Sequence, residues 1–315
     1  MTFPSVSIII PTRSRPEALK TCLRQIVPYV NQHPECTIIV SDDGEASKTR
    51  AELGDEFPNV EVIAGPRRGP AANRNWGAAN SNGQLLIFFD DDCKPDINAI
   101  AEYQRAASSD PECGVFEGRT TAEGKASSFG DSAPSNETGG YLWSCNFAIR
   151  RELFTGIGGF DERYPFAAME DVDLRFRIEG KSLIRFLSEA GVSHAFERRV
   201  DRKFLKHHTL SLLLYLHLHG LSATGRGPAY FARAVTHLTV SGVKRMIRGH
   251  AAKDPQYQLM TIGAVTQVLF IVLLWKWHPY LAMKFFPPCC TACQSIHACM
   301  GNGLGTAGSK GTLVS

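Results

Sequence analysis

Leu85-Leu86-Ile87-Phe88-Phe89-Asp90-Asp91-Asp92 reads as a strand buried on both faces, since five apolar residues run without alternation and stop at three acids. In open α/β sheets the carboxyl ends of such strands border the crevice where ligands bind. Three adjacent carboxylates repel one another and raise one another's pKa values unless a cation joins them. The triplet therefore calls for an oxygen-preferring divalent ion of the kind that holds a diphosphate. A solvated acidic turn or a helix cap would look the same in isolation, so the surrounding chain has to decide.

Working outward, strand and helix patterns alternate. Residues 6–10 read as a first strand, 16–30 as a helix, 37–40 as a second strand, 60–63 as a third, and 71–81 as a helix leading into the strand just described. This βαβ alternation predicts an α/β fold with a mostly parallel central sheet and helices on both faces. Three strands end in polar residues, which brings them to one edge: Pro11-Thr12-Arg13 after the first, Asp42-Asp43-Gly44 after the second, and the acidic triplet. From about 114 to 140 the pattern loosens into Ser, Gly, Glu and Thr, and a mobile loop is expected over 131–137. Glu170-Asp171 opens an amphipathic helix ending near Gly180; a strand-like stretch at 182–187 and a short connection then lead to His194.

The 315 residues suggest about two domains, or one large domain with an appendage. Hydrophobic residues at 43 % and charged residues at 21 % exclude a disordered chain and a polytopic membrane protein as starting points. The net charge of +3 conceals a division. Residues 1–197 carry 20 Lys and Arg against 29 Asp and Glu, whereas residues 198–315 carry 14 against 2. An acidic head and a basic tail predict different partners, with an anionic membrane surface expected against the tail and no nucleic acid. Between Asp254 and Lys276 no charge occurs, and residues 259–275 are long enough to cross a hydrocarbon core of ~30 Å. Tyr257, Trp275, Trp277 and Tyr280 stand like interfacial anchors, although a buried core helix fits the same pattern. The expected divisions are 1–197, a basic and apolar helical region at 198–286, and a Cys/Gly-rich tail at 287–315.

No signal-peptide pattern opens the sequence. Cys22, Cys36, Cys93, Cys113 and Cys145 show no metal or disulfide spacing, as expected of free thiols in a reducing compartment. Cys289, Cys290, Cys293 and Cys299 with His297 include only half of a zinc pattern and equally suit acylated thiols beside a membrane. The expected location is the cytoplasmic face of a membrane.

Five blocks in order resemble the inverting family 2 glycosyltransferases of the GT-A fold, over roughly residues 5–197. They are SIIIPTRSRPEALKTCLRQI, IIVSDDG, GPAANRNWGAANSNGQLLIFFDDDCKPD, NFAIRRELFTGIGGFDERY and EDVDLRFRIEGKSLIRFLSEAGVSH. The resemblance implies transfer of a sugar from a UDP-, GDP- or dTDP-sugar to a hydroxyl of a glycan or lipid-linked acceptor. It further implies Mg²⁺ or Mn²⁺ on Asp92 and Asp90, with His194 as a further metal or diphosphate contact. By the same resemblance Pro11, Thr12, Arg13, Arg15, Asp42, Arg74, Asp90 and Asp91 belong to the nucleotide side, Asp171 is the general base with Glu170 second, and Trp143 and Asn146 line the acceptor side.

Each of these residues also has a plain structural reading. Glu170 and Asp171 suit the first turn of any helix, His194 and Trp143 suit a core, Arg74 an exposed helix face, and Asp42-Asp43-Gly44 a simple turn. Transfer to a polyprenyl phosphate and a catalytically silent nucleotide-sugar-binding protein of the same fold are the competing functions.

Overall fold

The computed structural model describes residues 3–125, 131–198, 202–219, 294–296 and 299. In chain order the elements are β1 (Val6–Thr12), α1 (Pro16–Val30), β2 (Cys36–Asp42), α2 (Ala46–Leu53), β3 (Val60–Ala64), α3 (Pro70–Ala79), β4 (Leu85–Phe89), β5 (Cys93–Pro95) and α4 (Ala99–Ser109). They continue with β6 (Val115–Glu123), β7 (Asp131–Ser132), β8 (Asn146–Arg150), α5 (Arg151–Gly156), α6 (Glu170–Ile178), β9 (Ile184–Ala195), β10 (Glu197–Arg198) and α7 (Arg202–His219).

Eight strands form one sheet in the order β3-β2-β1-β4-β8-β6-β9-β5. β1 pairs in parallel with both β2 and β4, β2 with β3, and β6 with β9, while β8 and β5 run antiparallel to their neighbours. The mixed, mostly parallel α/β architecture expected from the alternation is the observed one.

Both faces of the central strands are covered, which is why β4 lacks the alternation of a half-exposed strand. Ile8, Ile10, Leu85, Ile87 and Phe89 join Leu19, Cys22, Leu23 and Ile26 of α1 and Ile100 and Tyr103 of α4 in one core. Ile9, Leu86 and Phe88 join Ala71 and Ala78 of α3, Phe154 of α5 and Leu174 and Ile178 of α6 in the other. Within α1, the spacing of Leu19, Cys22, Leu23, Ile26 and Val30 puts the buried residues on one stripe, and Pro16 starts the helix where its missing N–H costs nothing.

Two sequence expectations need correction. Residues 115–123 are not irregular but form β6, an interior strand of the sheet. Their polar content hid them: Glu117 and Thr120 are buried, at 2 % and 0 % exposure. Nor does a connection separate 187 from His194, because β9 runs unbroken through both and the register against β6 slips between Gly118 and Arg119. Gly118 is required at that slip, since a Cβ there would stand 2.2 Å from the Tyr103 hydroxyl and 2.4 Å from the Ala190 carbonyl.

The sheet lies in one of two compact units, and α7 belongs to the other. Among the described residues no helix is long and apolar enough to cross a membrane. Residues 259–275, Cys289, Cys290, Cys293 and His297 lie outside the described residues.

Candidate active site

Strand order reverses direction at β1, whose neighbours are β2 on one side and β4 on the other, so the carboxyl ends of β1 and β4 stand at the switch point where such sheets bind ligands. Thr12 and the acidic triplet sit there. Each aspartate of the triplet has a different set of partners. Asp91, fully buried, accepts from the Thr12 hydroxyl at 2.6 Å and from Arg15 Nε at 3.0 Å, with a second Arg15 nitrogen on its other oxygen. Burial pushes its carboxyl up to about 7 against the pull of Arg15 and Thr12. Asp91 thus ties the tip of β1 to the end of β4 from inside the fold.

Asp90 turns the opposite way, onto Arg74. The Arg74 guanidinium, 3 % exposed, reaches Asp90 Oδ1 at 2.6 Å with Nη2 and Glu170 Oε1 at 3.2 Å with Nη1, and lies 5.6 Å above the Phe160 ring. A buried arginine is held charged by such acids, and Asp90 and Glu170 do hold its pKa above the usual arginine value against its burial. Glu170 begins α6 with Asp171, and Met169 before them is in the left-handed region at φ 70°, a strained conformation for a side chain of its size. The Asp171 carboxylate accepts from the Val172 N–H at 2.8 Å. Burial pushes the Asp171 carboxyl up to about 6, opposed by the Val172 N–H and Arg74, and raises Glu170 in the same direction, with Asp171 adding to that rise.

Asp92 faces a third direction. Its Oδ2 takes Arg15 Nη1 at 2.9 Å, and its Oδ1 stands 3.2 Å from His194 Nε2. His194 Nδ1 lies 2.7 Å from the Ala195 carbonyl, which only accepts, so Nδ1 carries a proton and Nε2 is left to face Asp92. Burial works against an imidazolium here, but Asp92 outweighs it and pushes His194 up to about 9. A carboxylate oxygen and a backbone-oriented imidazole nitrogen converging in this way are donors that suit a divalent cation, which would take the place of the shared proton. Asp92, Cys93 and His194 offer ligand atoms within 4.8 Å of one another. Asp90, engaged with Arg74, is not part of that cluster.

Residues 7–158 match the family model for glycosyl transferase family 2. That stretch is a glycosyltransferase family 2 domain. It is 24 % identical over 292 residues to the O-antigen biosynthesis protein RfbC of Myxococcus xanthus, a match covering 82 % of this chain and 22 % of RfbC. Against the glycosyltransferase AglE of Haloferax volcanii it is 31 % identical over 98 residues, 30 % of this chain and 32 % of AglE. The chain therefore spans between about a fifth and a third of the length of these curated relatives. The mannosyltransferase PcManGT of Pyrobaculum calidifontis, solved with GDP-Man and Mn²⁺, superposes with a TM-score of 0.51 at 15 % identity, covering 88 % of each chain, and shares the fold.

Around this family 2 core, the other residues singled out from the sequence fall into distinct places. Arg13 is exposed at the tip of β1, and Pro11 is buried beneath it. Asp42 is 1 % exposed; it accepts from Ser14 N at 3.1 Å, Gly44 N at 2.7 Å and the Thr49 hydroxyl at 2.6 Å, and so holds the tip of β1 against the tip of β2. Asn146 is equally buried, receiving the Tyr103 hydroxyl at 2.8 Å and donating to the Arg119 and Ala190 carbonyls at 2.9 Å. Its own N–H donates to the Trp143 carbonyl. Trp143 is partly buried and stacks on Tyr141, with ring centroids 5.3 Å apart.

Sequence reasoning missed Glu117, which receives the backbone N–H groups of Gly140, Tyr141 and Leu142 and the Asn136 amide at 2.6–2.9 Å. Gly139, Gly140 and Leu142 all have positive φ in that loop, so one buried carboxylate gathers the donors of a turn that presents the Tyr141–Trp143 pair. Asn73 and Asn75 were also missed. Asn73 donates to the Thr12 and Ser41 carbonyls, and Asn75 clasps both backbone groups of Phe160. The run Asn73-Arg74-Asn75 in a helix otherwise of Ala, Gly, Pro and Trp was the available signal.

Proposed function

We propose that this chain transfers a sugar, with inversion and with Mg²⁺ or Mn²⁺, from a nucleotide sugar to an acceptor hydroxyl in the synthesis of a glycolipid, lipid-linked saccharide or surface polysaccharide. The observation that carries the proposal is Arg74, which joins Asp90 of the acidic triplet to Glu170 of the E-D pair in one buried cluster. A binding protein has no need to tie the acidic triplet to the E-D pair through a buried guanidinium. The name of the Myxococcus relative supports a surface polysaccharide as product, and the ligands of the mannosyltransferase support a nucleotide sugar with a divalent metal.

In this reading the donor lies over the tips of β1 and β4, with Arg13 and Arg15 toward its nucleotide and phosphates and Asp42 and Asp91 fixing the floor. When bound, the cation on Asp92 and His194 supplies Lewis-acid stabilisation of charge on the leaving diphosphate. The acceptor hydroxyl approaches the anomeric carbon from the side opposite the diphosphate, and Asp171 accepts its proton as the new bond forms. Glu170 and Arg74 keep Asp171 in place and hold the local charge. Trp143 with Tyr141 offers an aromatic face to a sugar ring, and Asn146 secures the backbone beneath it. The excess of 14 basic over 2 acidic residues after 197 supports attachment of that part to an anionic membrane surface.

The base must be ionised to act, so with Asp171 pushed up to about 6 the turnover rises with pH through about 6 and fades below it. A pH–rate profile at saturating donor reads this, and a rate flat from pH 4.5 to 8 would remove Asp171 from the role. The proposal as a whole is tested by incubating the full chain with a panel of UDP-, GDP- and dTDP-sugars and Mn²⁺ or Mg²⁺ and measuring nucleoside diphosphate release. Release from one donor, abolished by EDTA, is the expected result. Folded protein that binds a nucleotide sugar and releases nothing, with or without candidate acceptors, would instead make it a silent member of the fold.

A further inference from the structure

Cys93 lies directly opposite His194 in the antiparallel pairing of β5 and β9, so the two side chains leave the sheet on the same face. Cys93 and Pro95 are buried while Lys94 points the other way. Asp92 precedes Cys93, and its Oδ1 already meets His194 Nε2 at 3.2 Å. One carboxylate oxygen, one thiol sulfur and one imidazole nitrogen therefore converge within 4.8 Å, on an imidazole whose orientation is fixed by Ala195. The sulfur changes what this cluster can hold. Oxygen and imidazole donors suit Mg²⁺ and Mn²⁺, whereas a thiolate selects softer ions, and three protein ligands with one open position are a common zinc set.

We propose that Asp92, Cys93 and His194 form a site for a thiophilic divalent ion, Zn²⁺ in the cell and Co²⁺ as its probe, overlapping the position read above for Mg²⁺ or Mn²⁺. It rests on the reading of Asp92 and His194 as metal ligands and adds the thiol. Binding forms a metal–sulfur bond and releases the Cys93 proton to solvent, with no change of oxidation state. Cys145 is near enough to help push the Cys93 thiol up, so a second thiol stands beside the first. Because zinc would occupy the same Asp92 and His194 atoms, it displaces Mn²⁺ and silences the enzyme, the stronger ion of the divalent series excluding the weaker.

The test uses the full chain with Cys289, Cys290, Cys293 and Cys299 changed to serine, which removes the other cysteines after residue 197. Titration with Co²⁺ is expected to give the near-ultraviolet thiolate-to-cobalt charge-transfer band, bleached by Zn²⁺ and absent once Cys93→Ser or Cys93→Ala is added. Zinc-edge X-ray absorption on the four-serine protein needs no further substitution and is expected to show a sulfur neighbour. No cobalt binding, binding without the band, a band that survives loss of Cys93, or a zinc shell of nitrogen and oxygen alone overturns the proposal. Nucleoside diphosphate release by the same protein with Mn²⁺ keeps the two readings apart. Release without a thiolate band leaves the transferase and removes the thiol site, whereas a band without release does the reverse.

Discussion

Asp92→Ala lowers transfer by on the order of 10³-fold and leaves the protein folded. The size follows from several kcal/mol of charge stabilisation on the leaving diphosphate, at ~1.4 kcal/mol per decade of rate. The fold survives because neither partner of Asp92 is stranded: Arg15 keeps Asp91, and His194, deprived of the carboxylate that holds its proton, becomes neutral. Turnover with saturating Mn²⁺, Mn²⁺ affinity by electron paramagnetic resonance and a circular-dichroism melt together read the result. Transfer by the variant in excess chelator would end the metal assignment.

Asp171→Asn is expected to lower turnover by ~10²–10⁴-fold, the range for loss of a positioned general base. Donor affinity should stay close to that of the unaltered protein, because Arg74 retains both Asp90 and Glu170 and the amide oxygen can still receive the Val172 N–H. Single-turnover kinetics and donor titration separate the two quantities. A collapse of donor binding with chemistry intact would move Asp171 to the nucleotide side.

β1, β2 and β4 were legible because they are largely apolar runs buried on both faces, and runs such as Leu85–Phe89 have few other uses. The acidic triplet was legible as a cluster but not as three roles. Which aspartate faces Arg15, Arg74 or His194 depends on residues 16 to 102 positions away and on side-chain directions that no spacing encodes. β6 escaped notice because Glu117 and Thr120 look like surface residues; their partners, Asn136 and Gly140 to Leu142, lie in or just after the stretch that reads as irregular. Cys93 read as one more free thiol without metal spacing for a similar reason: its neighbour His194 is brought to it only by strand register.

Asn73, Arg74 and Asn75 are consecutive, yet through them α3 holds the tips of β1 and β2, the acid cluster, and the Phe160 loop. On the proposed reading, a lineage descending from this chain can therefore drift at Arg13, exposed just beyond β1, or at Tyr141 and Trp143, exploring new donors and acceptors one substitution at a time. It has little such freedom on α3, where any shift of the helix disturbs three walls together. Diversification of partners and permanence of chemistry are thereby assigned to different stretches of the same polypeptide.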